Sequence, residues 1–263
     1  MTSAAPPSAP FHLPSVRRDP IAWEDALAAV LGYARASRRL QLSRQGDLAP
    51  ETVLVPAYAY RAYDCVPPTT EAGFGWLDVL VVDALNGKLS HSIIRALHDA
   101  GQRAWPHVAR AVELAGGATF WELPAHQVAR RPTPGTVGAA LDLAWAECMR
   151  TPDVKVALTH KLLHHKRPDL FPLIDGRTKP LLEAARQGPS EGMWAVVHRE
   201  ITANSSQFAA LETCFAQLVD DAGDVPLTRL RLHDVLLWLT ATRNWDDALG
   251  RGRETAEWLR YAG

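Results

Sequence analysis

Residues 151–178 read TPDVKVALTHKLLHHKRPDLFPLIDGRT, a basic segment followed by a loop with two prolines and then one acidic residue. The apolar residues of the first half recur at helical spacing, which predicts a helix over residues 152–166. Pro168 ends that helix, because the residue before a proline is pushed out of the α region. We expect the apolar stripe to pack, whereas Lys155 and Lys166 are predicted to project from another face.

This region carries a local excess of positive charge on a nearly neutral chain. The whole sequence has a formal charge of −1, whereas residues 150–180 contain seven Lys or Arg and three Asp. A basic patch on a neutral background is typical of a protein that meets phosphates with one face. A solvated helix face is the alternative interpretation of the same charges.

The rest of the chain predicts an all-α fold. Gly, Asn and Pro separate a series of amphipathic helical segments. One stretch, residues 52–64, has strand-like residues, and we expect it to form a loop or a short hairpin arm. With so few strand signals, we expect a two-lobed helical bundle. The predicted helices cover residues 19–39, 75–85 (stopped at Asn86-Gly87), 90–100, 105–115, 136–149, 152–166, 180–187, 190–203, 206–222 and 228–243.

Proline-rich stretches set the predicted domain boundaries. The first 20 residues contain five prolines, so residues 1–18 are predicted to form a flexible arm. The sequence RRPTPG, residues 130–135, is the clearest internal break. We therefore place an N-terminal helical lobe at 19–130 and a C-terminal lobe, which carries the basic helix and Asp175, at 131–263.

Composition excludes several classes of protein. A hydrophobic fraction of 47% over 263 residues is enough for a substantial core, so the chain is not intrinsically disordered. Three scattered cysteines favour neither a disulfide framework nor a CxxC metal site. No apolar run reaches the roughly 20 residues that span a bilayer. We expect a cytoplasmic monomer without a membrane partner and without a cofactor.

Asp175 is the candidate catalytic carboxylate. Breaking a glycosidic bond through a cationic sugar requires a carboxylate beside that sugar, and a basic surround to hold phosphates. The alternative is structural: Asp175 caps the helix that begins near Pro180, or pairs with Arg177. The residues alone leave both interpretations open.

The stretch KVALTHKLLHHKRPDLFPLID, about 25 residues with its flanks, resembles the segment of helix-hairpin-helix DNA glycosylases that runs from a Lys-Val-Ala helix start to a proline and an essential Asp. The resemblance implies that Asp175 stabilises the departing sugar, and that Lys155 holds the nucleophile position of the enzymes with a lyase step. This chain has Arg-Thr-Pro-Asp-Val where that family has a Leu-Pro-Gly-x-Gly hairpin. The sequence of this stretch also resembles uncharacterised actinobacterial proteins, and that resemblance implies no function.

Other polar and aromatic residues receive weaker assignments. His160 and His164 lie one helical turn apart, but the further ligands that zinc needs are missing, so no metal is expected. Three loop tyrosines are candidates for contact with a flipped base, although packing on the helices is the alternative: Tyr58, Tyr60 and Tyr63. The basic patch assigns contact with double-stranded DNA to Lys161, His164, Lys166, Arg167, Arg177 and Lys179.

These observations favour a DNA glycosylase that removes a modified or damaged base. A base carried by phage DNA is one possible substrate, which places the protein in antiviral defence. Two other functions remain open. One is a noncatalytic DNA-binding helical module, and the other is a helical scaffold or small-molecule enzyme without a nucleic-acid role.

Overall fold

The computed structural model describes residues 9–42, 51–70, 72–85, 88–129, 132–220 and 224–263. Over these residues the chain is mostly helical, with one small two-stranded sheet, which confirms the predicted helical class. The α-helices are α1 (Trp23–Arg35), α2 (Trp76–Val81), α3 (His91–Ala115), α4 (Val137–Met149), α5 (Val156–Lys166), α6 (Lys179–Ala184), α7 (Met193–Ala203), α8 (Ser205–Asp220), α9 (Arg229–Ala241), α10 (Trp245–Arg253) and α11 (Ala256–Ala262).

Residues 9–18 pack against the helices instead of forming a free arm. Phe11 is fully buried in the core. The Ser15 backbone N–H and hydroxyl both donate to the Glu200 carboxylate, at 2.8 and 2.6 Å. The prediction of a flexible arm over 1–18 is therefore wrong for residues 9–18. The prediction rested on the proline content and did not consider that apolar side chains in this segment pack into the core. The remainder of that arm lies outside the described residues.

The C-terminal helices α10 and α11, which the sequence pattern did not predict, complete the body of the protein. Helix α10 crosses α1 so closely that glycine is required at the contact. A Cβ at Gly252 would lie 1.7 Å from the Ala28 carbonyl oxygen, and one at Gly32 would lie 1.9 Å from the Ala248 carbonyl oxygen. Small residues at this crossing therefore replace the usual interdigitation of large side chains.

Helix α3 is a single helix of 25 residues, whereas the sequence predicted two helices separated at Gly101. A glycine inside a helix costs only about 1 kcal/mol relative to alanine. Here the Phe74 ring fills the space, since a Cβ at Gly101 would lie 2.8 Å from the Phe74 Cγ. The helix ends at Gly116, which adopts φ of 56° in the left-handed region.

The sheet is a hairpin of two antiparallel strands, β1 (Ser37–Leu42) and β2 (Glu51–Pro56), paired from Ser37↔Pro56 to Leu42↔Glu51. The suggestion of a hairpin arm is confirmed for β2. Helix α1 ends at Arg35 and not near Arg39, because Ala36 turns the backbone to the extended φ and ψ of −60° and 138° that lead into β1.

One continuous hydrophobic core spans both sides of the predicted lobe boundary, whose central residues 130 and 131 lie outside the described part of the chain. Helices α3 and α4, which flank that boundary, pack directly on each other. The division into lobes at 130/131 stays a prediction. Helices α5, α7 and α9 run through this core, and the loop after α5 places Asp175 at its surface.

Candidate functional site

Helix α5 is buried along most of its length, including its charged residues. Every side chain from Leu158 to Lys166 is buried, and Lys161 and Lys166 are 5% and 1% exposed. The prediction that Lys166 projects to solvent is wrong, because α2, α3 and α4 all pack against α5 and leave this part no solvent face. These two lysines do not form the phosphate-contacting surface that the charge pattern indicated.

Lys166 instead forms a buried ion pair with Asp78. Its Nζ lies 3.1 Å from Asp78 Oδ2 and donates to the Thr69 carbonyl at 2.7 Å. Asp78 also accepts from the backbone N–H groups of Thr69 and Gly75, both at 2.8 Å. Burial opposes ionisation of Asp78, yet these hydrogen bonds hold its pKa below the ordinary value. The pair is a fully hydrogen-bonded structural anchor.

The buried histidines of α5 fix the loop that follows the helix. His160 Nδ1 lies 2.8 Å from the Pro172 carbonyl oxygen, and His164 Nδ1 lies 2.6 Å from that of Phe171. Because a carbonyl only accepts, each Nδ1 carries a proton. Burial lowers the pKa of His160 to about 4 and that of His164 to about 3, so both rings are neutral at pH 7. His164 is therefore no candidate for DNA contact.

Asp175 follows this anchored loop and organises the turn of residues 175–178 that leads into α6. Its Oδ1 accepts from the backbone N–H groups of Arg177 and Thr178, at 2.8 and 2.9 Å. These are the hydrogen bonds of a cap, but they are made to the turn before α6, and the N-cap residue of α6 itself is Thr178. Among the described residues, none donates to Asp175 Oδ2. One oxygen therefore caps the turn that leads into α6, while the other remains available for chemistry.

Asp175 lines a cavity of about 410 Å³ between the hairpin, α5 and α9. This first cavity is large enough for a nucleoside, and it combines aromatic walls with a few charged groups, as small-molecule sites do. The groups that matter for chemistry are Tyr33, Arg38, Tyr58, Lys161, Asp175, Arg231, Asp234 and Trp238.

A buried charge cluster forms one wall of the first cavity. Arg231 donates to Asp64 through Nε at 2.6 Å, to the Tyr33 hydroxyl at 2.6 Å, and to Asp234 Oδ2. The other oxygen of Asp234, Oδ1, is buried without a hydrogen-bond partner among the described residues. Burial, together with the negative charges of Asp175 and Asp64, outweighs Arg231 and raises the pKa of Asp234 to about 7. Asp234 can therefore exchange a proton near neutral pH.

Lys161 brings a second cation to the first cavity. Its Nζ donates to the Leu85 carbonyl oxygen. Burial lowers the pKa of Lys161, although the charges of Asp175 and Asp234 favour its ammonium form. The sequence predicted Lys155 as the lysine near the catalytic carboxylate. In the structure, Lys161 shares the first cavity with Asp175 instead.

The three loop tyrosines separate into one cavity residue and two core residues. Tyr58 lines the first cavity, stacked on Tyr33 at 5.7 Å and edge-on to Trp238 at 6.0 Å. Tyr60 and Tyr63 are buried, and their hydroxyls donate to the carbonyls of Val225 and Lys161. The assignment of base contact to Tyr60 and Tyr63 is wrong, because their rings pack on the helices. Tyr58 alone of the three keeps that candidate role.

A family model with the description "family of unknown function", DUF6308, matches residues 46–241, which is most of the chain. The chain belongs to the DUF6308 family. The matched segment includes Lys161, Asp175 and Asp234, whereas Tyr33 and Arg38 precede it. Neither a search of curated proteins nor a search of solved structures gives a match.

Four other cations of the DUF6308 segment were assigned to DNA contact or catalysis. Lys155 is exposed at the start of α5 and is not part of the first cavity. Arg167 is half-buried over the Trp105 ring, at 5.6 Å from its centroid. Arg177 and Lys179 are exposed, and Lys179 lies 3.7 Å from Glu183. Arg177 thus combines exposure with a position two residues from Asp175.

The described residues contain neither a cluster of metal ligands nor a membrane-spanning helix. In the ranges that the structure covers, no three His, Cys, Asp or Glu side chains come together as a metal site. The three cysteines are unpaired. No described helix combines the length and apolar character needed to cross a bilayer.

Sequence reasoning missed Asp64, Arg231 and Asp234, which the fold brings together from distant segments. The signal in the sequence was the i, i+3 pair of Arg231 and Asp234 in α9, a segment whose other residues are mostly apolar. Charges placed inside a helix that is buried all round need partners. That pattern indicates a buried polar site, although it does not identify Asp64 as the third residue of the cluster.

Proposed function

We propose that this DUF6308 protein is a glycosylase that cleaves the N-glycosidic bond between a base and its sugar in the first cavity. The observation that supports this proposal is the pair of carboxylates, Asp175 and Asp234, on the walls of one aromatic cavity. Two carboxyl groups whose environments differ divide into an acid and a charged partner. The resemblance around Asp175 agrees with the same chemistry.

Asp234 acts as the general acid. Its pKa is raised to about 7, so its protonated form is populated at neutral pH, and it donates this proton to the base nitrogen as the bond to the sugar breaks. Asp175 presents its uncapped oxygen to the positive charge that develops on the sugar. Water then adds to the same sugar carbon, and the proton that it loses passes to the Asp234 carboxylate, which restores the acid. Charge stabilisation of this kind contributes on the order of 10²- to 10³-fold in rate.

Aromatic side chains hold the base. Tyr58, Tyr33 and Trp238 give the cavity flat walls on which a planar ring stacks, and such stacking contributes about 1–3 kcal/mol per base. Arg38 lines the same cavity from β1 and is exposed, so it is placed to contact a phosphate on the sugar. The cavity therefore selects a planar base with an attached sugar.

The substrate is DNA in this proposal, with a free nucleoside or nucleotide as the second candidate. The burial of Lys161 and Lys166 favours the second candidate, because it removes two cations from the surface that a duplex would contact. The exposed Arg177, beside Asp175, favours DNA. The charge-reversal variant Arg177→Glu separates the two: it should weaken cleavage of duplex DNA and leave cleavage of a free nucleoside unchanged.

Single-turnover base release tests the reaction itself. Duplexes that contain uracil, alkylated purines or hydroxymethylated pyrimidines, and the matching free nucleosides, are incubated with wild type, Asp175→Asn and Asp153→Asn. Asp175→Asn keeps the capping oxygen but removes the charge, so release should fall about 100-fold or more while the melting temperature stays near wild type. Asp153 is an exposed control with φ of 68°, which asparagine tolerates.

The control should match wild type. Release within a few-fold of wild type in Asp175→Asn assigns Asp175 to capping alone and overturns its catalytic role. The absence of release from every substrate of both classes overturns the proposed function.

A further inference from the structure

A second cavity of about 410 Å³ lies on the other side of α5, between α4, α6 and α7. Trp145 and Trp194 line it, with His160 between them: the His160 ring lies 6.5 Å from that of Trp145 and 6.1 Å from that of Trp194. It is separate from the first cavity, because consecutive residues of α5 face different cavities. Lys161 lines the first one, and His160 lines the second.

Polar groups on the walls of the second cavity have no partner. Trp145 Nε1 and Arg186 Nε are both buried donors without an acceptor in the parts of the chain that the structure describes. His160 is 3% exposed, and its Nδ1–H is used by the Pro172 carbonyl, so Nε2 is an acceptor. No described group donates to that nitrogen. Unpaired buried polar groups are costly, and native proteins satisfy most of them.

Three acids line the second cavity, and two of them are paired with a cation, whereas Asp142, an exposed residue, has no cation partner among the described residues. Glu183 lies 3.7 Å from Lys179, and Glu191 pairs with Arg199 at 2.9 Å. Apart from the exposed Asp142, the unpaired groups at the walls are two donors and one acceptor next to two indole rings. A complementary ligand is flat, and it offers a carbonyl oxygen to the donors and an N–H to the acceptor.

We propose that the second cavity binds a planar heterocycle with a lactam edge, the N–H and C=O pair found in uracil or hypoxanthine. The carbonyl accepts from Trp145 Nε1 or Arg186 Nε, the ring N–H donates to His160 Nε2, and the ring packs on Trp194. The site is independent of catalysis in the first cavity. It adds a heterocycle-binding activity to the protein.

The indole N–H resonances of protein labelled with ¹⁵N-tryptophan test this site directly. The chain has nine tryptophans, and the Trp145→Phe and Trp238→Phe variants assign one resonance to each cavity. Uracil and hypoxanthine are titrated to millimolar concentration, and 1,3-dimethyluracil, which has carbonyls but no N–H, is the matched control probe. The Trp145 resonance should shift downfield with uracil or hypoxanthine. The concentration that gives half of this shift should be about tenfold higher for dimethyluracil, since one hydrogen bond is lost.

Variants then locate the contact. Arg186→Gln and Trp194→Leu should each weaken the titration of the Trp145 resonance several-fold, whereas Trp238→Phe should leave it unchanged. A Trp145 resonance that does not move with either lactam overturns the proposal, as does a response to dimethyluracil equal to that for uracil. A shift confined to the Trp238 resonance also overturns the second site, and it leaves the glycosylase proposal intact because that proposal concerns the first cavity.

Discussion

Replacing Asp234 with asparagine should change how stability depends on pH, because Asp234 binds a proton more tightly in the folded state. Its pKa rises from the ordinary value of 3.8 to about 7 on folding. The folded chain therefore holds one more proton than the unfolded chain between these values, and this residue makes stability fall as pH rises through that window. At about 1.4 kcal/mol per pKa unit, the full unfavourable contribution above pH 7 is about 4 kcal/mol.

Asp234→Asn removes this titration and keeps an oxygen that can accept from Arg231. Urea unfolding of both proteins between pH 5 and pH 8 gives the difference in free energy of unfolding, in which the contributions of other groups, such as the buried histidines, cancel. That difference should move in favour of the variant by roughly 3 kcal/mol across the range. Parallel curves for the two proteins would refute the argument, because an Asp234 that does not titrate there cannot serve as a neutral-pH acid.

Two further predictions concern packing and the structural ion pair. Gly252→Ala should prevent α10 from meeting α1 and lower the melting temperature by many degrees, whereas Gly250→Ala, which meets nothing within 4 Å, should be neutral or stabilise by about 0.5–1 kcal/mol. Lys166→Met should cost about 3–5 kcal/mol in urea unfolding, because it leaves Asp78 buried and charged. The exposed Lys155→Met should stay within about 0.5 kcal/mol, and equal costs would contradict this account.

Local sequence signals predicted helices better than they predicted what surrounds them. The starts of α4 and α9 follow from their N-caps, Thr136 and Thr228, whose hydroxyls accept from backbone N–H groups in the first turn. Gly101 was misjudged because its neighbour Phe74 is distant in sequence. The docking of Phe11 was missed for a similar reason, since nothing in a proline-rich stretch shows which surface will cover it.

The candidate site was also predictable only in part, because local signals can be read from the sequence and contacts between distant segments cannot. Asp175 stands out because prolines and a glycine fix its loop, and these signals are local. The exposure of Lys161 and Lys166 was misjudged, because a helical pattern shows one apolar face and cannot show that three other helices cover the remaining faces. Asp64 and Asp234 are 170 positions apart, and only the fold brings both to Arg231.

The two buried charge clusters differ in a way that separates structure from chemistry. Asp78 receives donors on both oxygens, so its charge is fully compensated and the Lys166 pair is an anchor. Asp234 shares Arg231 with Asp64, keeps one oxygen unpaired, and lines a cavity. Replacing such an incompletely paired cluster by apolar residues of similar size is often neutral or stabilising. A group held at that cost, with a pKa raised to about 7 beside an open space, has the properties that a proton-transfer site requires.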